Sequence, residues 1–281
     1  VFPKLRQLCG SYGCRFQAVD LRWGIGEEAA LDQRTMEICL EEIRRCQRVT
    51  PRPNFILLLG DRYGWCPLPA TITASDFDLL LRQVTAEERA LFCWSAEQPE
   101  DAKGWYRRDE NTFCAHLGAP AEAAYVLQAR TGRYTDQAEW AAVEQRLHGI
   151  LSRVLGANAT IPPARRACYT SSATEQEIIQ GVLAHGDPAH VFGFFRQLTN
   201  TERLVAEAPS NPAARDFLDT AQDGRPDELA AQKLHRLKDT LAQRLGANVH
   251  KGYTAAWTGR GISTDHLGQL CDDVYQALAA V

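Results

Sequence analysis

Three short stretches of this 281-residue chain carry side chains suited to binding a phosphate-bearing ligand and cleaving it. Asp20-Leu21-Arg22-Trp23-Gly24 and Gly60-Asp61-Arg62-Tyr63-Gly64-Trp65 each place a carboxylate, a guanidinium and an aromatic ring beside glycine. Ser171-Ser172-Ala173-Thr174-Glu175-Gln176-Glu177 reads as the start of a helix. Guanidinium groups and helix N-terminal amides suit phosphate, and an aromatic face suits a base. Asp20, Arg22, Trp23, Gly60, Arg62, Tyr63 and Thr174 are therefore candidate ligand-binding residues. Glu177 is the candidate catalytic residue. A carboxylate there can hold ribose hydroxyls, or stabilise the cationic sugar formed as a glycosidic bond breaks.

The same residues admit a structural reading. Thr174 at N-cap with Glu177 three residues on is a capping box, and Ser172 with Glu175 is a second box in another register. Arg22 and Trp23 fit equally as a seal on a sheet edge, Tyr63 and Trp65 as core or rim aromatics, and Asp61-Arg62 as a turn pair.

The elements that would position these groups follow from periodicity. Arg15–Leu21 predicts a strand, closed by a loop at Gly24 and Gly26. Five consecutive apolar residues, Phe55–Leu59, predict a strand buried on both faces, which implies a parallel sheet. Helices are predicted at 4–12, at 32–47 with Asp32 as N-cap and a stripe of Leu31, Met36, Cys39, Leu40 and Ile43, from Thr174 to about His185, at 227–245 and at 264–280. His190–Phe195 predicts a second buried strand, and Asn248–Trp257 an edge strand. Residues 70–165 read as a large helical insertion, with the firmest helix at 136–155, and 199–226 as a mobile surface loop. The expectation is one α/β domain over 1–281, doubly wound around a mainly parallel, flavodoxin-like sheet. It opens on a helix, so the first strand such a scheme wants is missing. Ligands of open α/β sheets bind outside the carboxyl ends of the strands, so the three stretches are expected to converge there.

Composition narrows the field. Thirty-one Lys and Arg against thirty-five Asp and Glu, a formal charge of −4, argue against a nucleic-acid binder. Trp105-Tyr106-Arg107-Arg108-Asp109 is too small a basic-aromatic patch to reverse that. No apolar run is long enough for a membrane span, and the N-terminus carries no secretory signal. Val1 opens the chain without Met, which fits a fragment or a processed chain. Nine irregularly spaced cysteines without C-x-x-C fit reduced thiols in the cytoplasm, with no metal site. The P-loop, the G-x-G-x-x-G fingerprint, the G-x-S-x-G elbow and H-E-x-x-H are absent.

Phe16–Ile25, Glu37–Ile43 and Asn54–Trp65 resemble a TIR-like domain of unknown function. That domain stands at the N-terminus of NACHT-type (STAND) signalling NTPases with WD or tetratricopeptide repeats, telomerase- and vault-associated relatives among them. Trp105–Asn111 and Tyr125–Gln128 are similar to a helical insertion of that branch, and Thr174–Ile178 and Tyr253–Gly261 to its later segments. The resemblance implies a TIR-like fold, a missing first strand with its Ser/Thr-rich loop, and a catalytic glutamate at Glu177, with Glu175 as the off-register alternative. It implies an innate-immune effector that cleaves NAD or a related nucleotide as substrate, an NAD(P)+ nucleosidase-like hydrolase without a cofactor. Oligomerisation through an attached NACHT and repeat architecture would switch it on. The alternatives are a non-catalytic interaction module of the same fold and a domain that binds a nucleotide without turnover.

Overall fold

The structure is a computed structural model that describes residues 1–21, 26–50, 52–99, 103–112, 122–184, 188–221 and 224–281. In chain order its elements are α1 (Phe2–Ser11), α2 (Glu27–Leu31), α3 (Thr35–Val49), β1 (Phe55–Leu59), β2 (Thr71–Thr73), α4 (Ala74–Gln83), α5 (Ala86–Phe92), β3 (Tyr106–Asp109), β4 (Ala124–Leu127), α6 (Gln137–Leu151), α7 (Pro163–Thr170), α8 (Ala173–Ile178), β5 (Val191–Leu198), α9 (Thr201–Glu207), α10 (Pro212–Arg215), α11 (Glu228–Leu245), β6 (Val249–Ala255) and α12 (Leu267–Ala279). Wider π turns prolong α6 over Ser152–Gly156 and α8 over Ile179–Leu183. The chain divides into two compact units. One is Val1–Asp20, Glu42–Gly64 and Glu177–Val281; the other is Leu21–Glu41 and Trp65–Gln176.

The first unit is built on a three-stranded parallel sheet of order β1-β5-β6. The central strand β5 is apolar and buried from Val191 to Phe195, so both its faces need covers. On one face Leu57, Leu59, Val191 and Phe195 meet Ile178, Val182 and the Leu237, Leu241, Leu245 stripe of α11. On the other, Phe192, Phe194 and Tyr253 meet Val274 and Leu270 of α12. The π turn after α8 runs so close to β1 that a Cβ on Gly181 would lie 2.8 Å from the Phe55 ring. Residues 199–226 hold α9 and α10, and Asn200 clasps Trp257 by accepting from its N–H at 2.6 Å and donating to its carbonyl at 3.0 Å.

The second unit carries a three-stranded antiparallel sheet of order β2-β4-β3. Its core includes Ile72, Phe77, Phe92, Tyr106, Trp140, Leu147 and Tyr169. Thr73 caps α4, Thr85 and Glu88 close a capping box on α5, and Asp136 caps α6. At its centre Asp76, 1% exposed, accepts from the Tyr169 hydroxyl at 2.8 Å and from Arg165 Nη2 at 3.2 Å. Arg165 Nε lies 2.8 Å from the same carboxylate, without the angle of a hydrogen bond.

The molecule is thus mixed α/β with a parallel three-stranded sheet and many helices, and several expectations change. Arg15–Asp20 carries no ladder: Phe16, Ala18 and Asp20 are half-covered in alternation, but a strand needs a partner backbone, and no described strand supplies one. β1 is not buried on both faces. It pairs only with β5 among the described residues, and Leu58 is 56% exposed; β5 takes the position expected of it. Asp32 closes α2 instead of capping α3, which starts at Thr35. Three strands of three or four residues lie where the pattern reads as helix, too short to impose a period of two. The helices expected at the N-terminus, at 136–155, 227–245 and 264–280 are present within a few residues. The eight described cysteines are thiols, none in a disulfide, and among the described residues no helix is long and apolar enough to cross a membrane.

Two outcomes follow. Asp76→Ala strands a buried guanidinium and should cost about 3–5 kcal/mol, while Tyr169→Phe, which removes one hydroxyl donor, should cost about 1 kcal/mol. Urea melts of both variants measure this, and equal losses would contradict the shared network. Glu207 accepts from Trp257 Nε1 at 2.7 Å and from Arg203 Nε at 2.8 Å. The indole bond first, then the arginine, holds its carboxyl below the usual glutamate range. A depressed folded-state pKa adds stability that is complete above the unfolded value and is lost as pH falls through the folded one. Glu207→Gln should therefore shallow the acid limb of the pH–stability curve and leave its slope above neutrality unchanged.

Candidate functional site

In the first unit the parallel register carries the ends of β1 and β5 to the same edge. There the chain turns sharply through Gly60–Gly64. Gly60 leaves room for the Arg196 side chain: a Cβ would stand 2.5 Å from Arg196 Nη2. Asp61 accepts from the Leu198 backbone N–H at 3.1 Å and from Arg196 Nη2 at 3.4 Å, which ties the loop to the end of β5. Arg196 Nε is buried and finds no acceptor among the described residues. On α11, Lys238 faces the same charges. Burial pulls its ammonium below the usual lysine range, Asp61 pulls it back up, and Arg196 lowers it further.

The next three residues meet the segment after α10. Arg62 Nη1 donates to the Asp216 carbonyl at 3.0 Å, and its Nε reaches Asp219 Oδ1 at 3.4 Å. The backbone N–H groups of Tyr63 and Gly64 both donate to the Asp219 carboxylate, the latter at 3.1 Å. Tyr63 is 2% exposed, and Lys233 Nζ lies 5.2 Å from its ring centre, so stacking a base there would need the lysine to move. Arg62, Arg196, Lys233 and Lys238 are gathered here with the carboxylates of Asp61 and Asp219. Such an edge attracts anions.

Gly60, Arg62 and Tyr63 of the predicted set come together here. Arg22 and Trp23 lie outside the described residues, and Asp20 is half-buried at the end of the unpaired 15–20 segment. Glu177, also half-buried, precedes Ile178, which packs on Leu57 and Leu59 of β1. Thr174 belongs to the second unit. It does not cap α8: Ser172 Oγ accepts from the Glu175 N–H at 3.2 Å. The Ser172/Glu175 register therefore holds, because Ser171 and Ser172 let the helix begin earlier. Thr174 and Glu177 lie inside the helix.

Asp219, Arg196 and Lys238 were missed by sequence reasoning. Arg196 had a signal, being the first charge after five buried apolar residues, at the ligand-binding end of a parallel strand. Lys238 had a fainter one, standing between Leu234 and Leu241 on the apolar side of α11. Asp219 had none, since its segment reads as a polar loop. Among the described residues no three His, Cys, Asp or Glu side chains gather as a metal site would require.

Residues 9–116 match a domain family described as a domain of unknown function, DUF4062. Mouse NACHT domain- and WD repeat-containing protein 1 is 31% identical over 244 residues, 85% of this chain and 14% of that protein. Mouse NACHT and WD repeat domain-containing protein 2 is 26% identical over 268 residues, 88% of this chain and again 14% of the relative. Rat telomerase protein component 1 is 37% identical over 67 residues, 24% of this chain and 2% of its own length. The chain thus spans about one-seventh of the NACHT relatives it matches. No solved structure matches. The chain carries a DUF4062 domain, with homology to NACHT- and WD-repeat-containing proteins.

Proposed function

We propose that this chain is a TIR-like effector domain of a cytoplasmic NACHT-type signalling protein. It binds NAD or a related nucleotide at the carboxyl edge of its parallel sheet and cleaves the N-glycosidic bond when attached NACHT and repeat modules bring copies together. The observation that carries the reading is the cationic edge itself: Arg62, Arg196, Lys233 and Lys238 gathered where β1 and β5 end. Phosphate oxygens suit Arg62. Glu177 stabilises the oxocarbenium-like ribose as the nicotinamide leaves and water takes its place. Homology to NACHT-containing proteins supports the signalling context.

A second reading, a non-catalytic self-association module, has one observation in its favour. β1 is an edge strand among the described residues, with Leu58 open on its face, and such an edge is a template for pairing.

Incubating the oligomerised full-length protein with NAD and following nicotinamide release separates the two. Glu177→Gln should lower the rate on the order of 100-fold or more with melting unchanged. Release that survives in Glu177→Gln would move the role to another carboxylate, Glu175 first. Absence of release in every assembly state would leave the association module.

A further inference from the structure

The loop after β1 presents a preformed anion cradle. Two successive backbone N–H groups, from Tyr63 and Gly64, donate to the two oxygens of one carboxylate, and the Arg62 guanidinium reaches the oxygen that Gly64 binds. Consecutive amides that converge in this way are a recurrent phosphate-binding device, here at the ligand-binding edge of a parallel sheet. Gly64, at φ +92, turns the chain through the left-handed region immediately after the second N–H. The anion seated in this cradle is the chain's own. The Asp219 carboxylate, 14% exposed, takes all three donors, while its backbone carbonyl accepts from the Asp227 N–H at 2.9 Å, just ahead of α11. Arg62 also holds the Asp216 carbonyl, so the whole 216–219 segment is drawn over the loop. The guanidinium remains 41% exposed and open to a second anion.

We propose that Asp219 is an internal stand-in for a ligand phosphate: it occupies the cradle in the resting chain, and a phosphate or pyrophosphate group must displace it to bind. The inference rests on the nucleotide-binding part of the function above and is independent of cleavage by Glu177. Displacement swaps one anion for another on the same donors, and the incoming phosphate brings at least as much negative charge as the carboxylate it replaces. What changes is the 216–219 segment, which loses its tether to Tyr63 and Gly64 and is freed to signal occupancy. The carboxylate thus sets a threshold: a ligand has to outcompete a group held at high local concentration by its own chain.

Calorimetric titration of the full chain with inorganic pyrophosphate, and separately with NAD, tests this. Asp219→Ala should bind pyrophosphate at least about 10-fold more tightly than the native chain, because a cradle open 10% of the time or less costs that factor. Asp219→Ala combined with Arg62→Ala should lose the gain. A carboxylate that merely ties two loops together predicts a lower melting temperature and no gain in affinity, and that result would overturn the proposal. If Asp219→Ala folds poorly, the native chain decides: saturating pyrophosphate should shift the Tyr63 and Gly64 amide resonances and the Asp219 carboxyl carbon together, and shifts elsewhere that spare these three would overturn it. Pyrophosphate binding that depends on Asp219, with NAD neither bound nor cleaved, would remove the function proposed above and keep the cradle. NAD turnover indifferent to Asp219 would do the reverse.

Discussion

The parallel register of Phe55–Leu59 against Val191–Phe195 is the constraint on which the first unit depends. A parallel pair sends both strands out of the sheet at the same edge, so two segments far apart in sequence must turn side by side. Each carries a charged group close behind its apolar run, Asp61 after Gly60 on one and Arg196 on the other. Those groups therefore meet, and Asp61 closes the junction by taking the Leu198 N–H as well. The apolar runs are also what make the register firm. A slip of one residue would carry Leu57 and Leu59 away from the face covered by α11.

At that edge backbone amides are satisfied by side-chain carboxylates. Asp61 serves β5, and Asp219 serves the turn at Tyr63 and Gly64. Charged acceptors make stronger bonds to amides than neutral ones do, and each brings a negative charge that holds a guanidinium nearby. The result is an ordered edge where guanidinium and ammonium groups gather, with one lysine pulled toward its neutral form by burial. Order and residual charge together are what a site for an anionic ligand needs before the ligand arrives.

The second unit solves a different problem. Its strands are three or four residues long, too few to hold a sheet by ladder bonds alone. Stability comes instead from an aromatic interior, where Phe77 stacks on Tyr125 at 3.6 Å and Trp105 meets Trp140 edge-on, and from the buried ion pair of Asp76 and Arg165. That pair, with Tyr169, links the first turn of α4 to α7 and specifies how the two helices meet.

The amino-acid sequence by itself determined the helices with long apolar stripes, the two runs that became β1 and β5, the edge position of β6 and the polar loop that closes β1. These signals are local: period, run length and punctuation by glycine and proline reside in adjacent residues. The resemblance carried in Phe16–Ile25 and Asn54–Trp65 was legible for the same reason, as contiguous motifs. Tertiary structure decided the rest. Whether Arg15–Asp20 pairs, which of two apolar strands lies in the centre, and which of two overlapping boxes caps α8 each depend on a partner from elsewhere in the chain. So does the content of the site. Asp219 is an ordinary loop aspartate until folding brings it onto the amides of Tyr63 and Gly64, because a hydrogen bond between residues so far apart in sequence leaves no periodic trace in it.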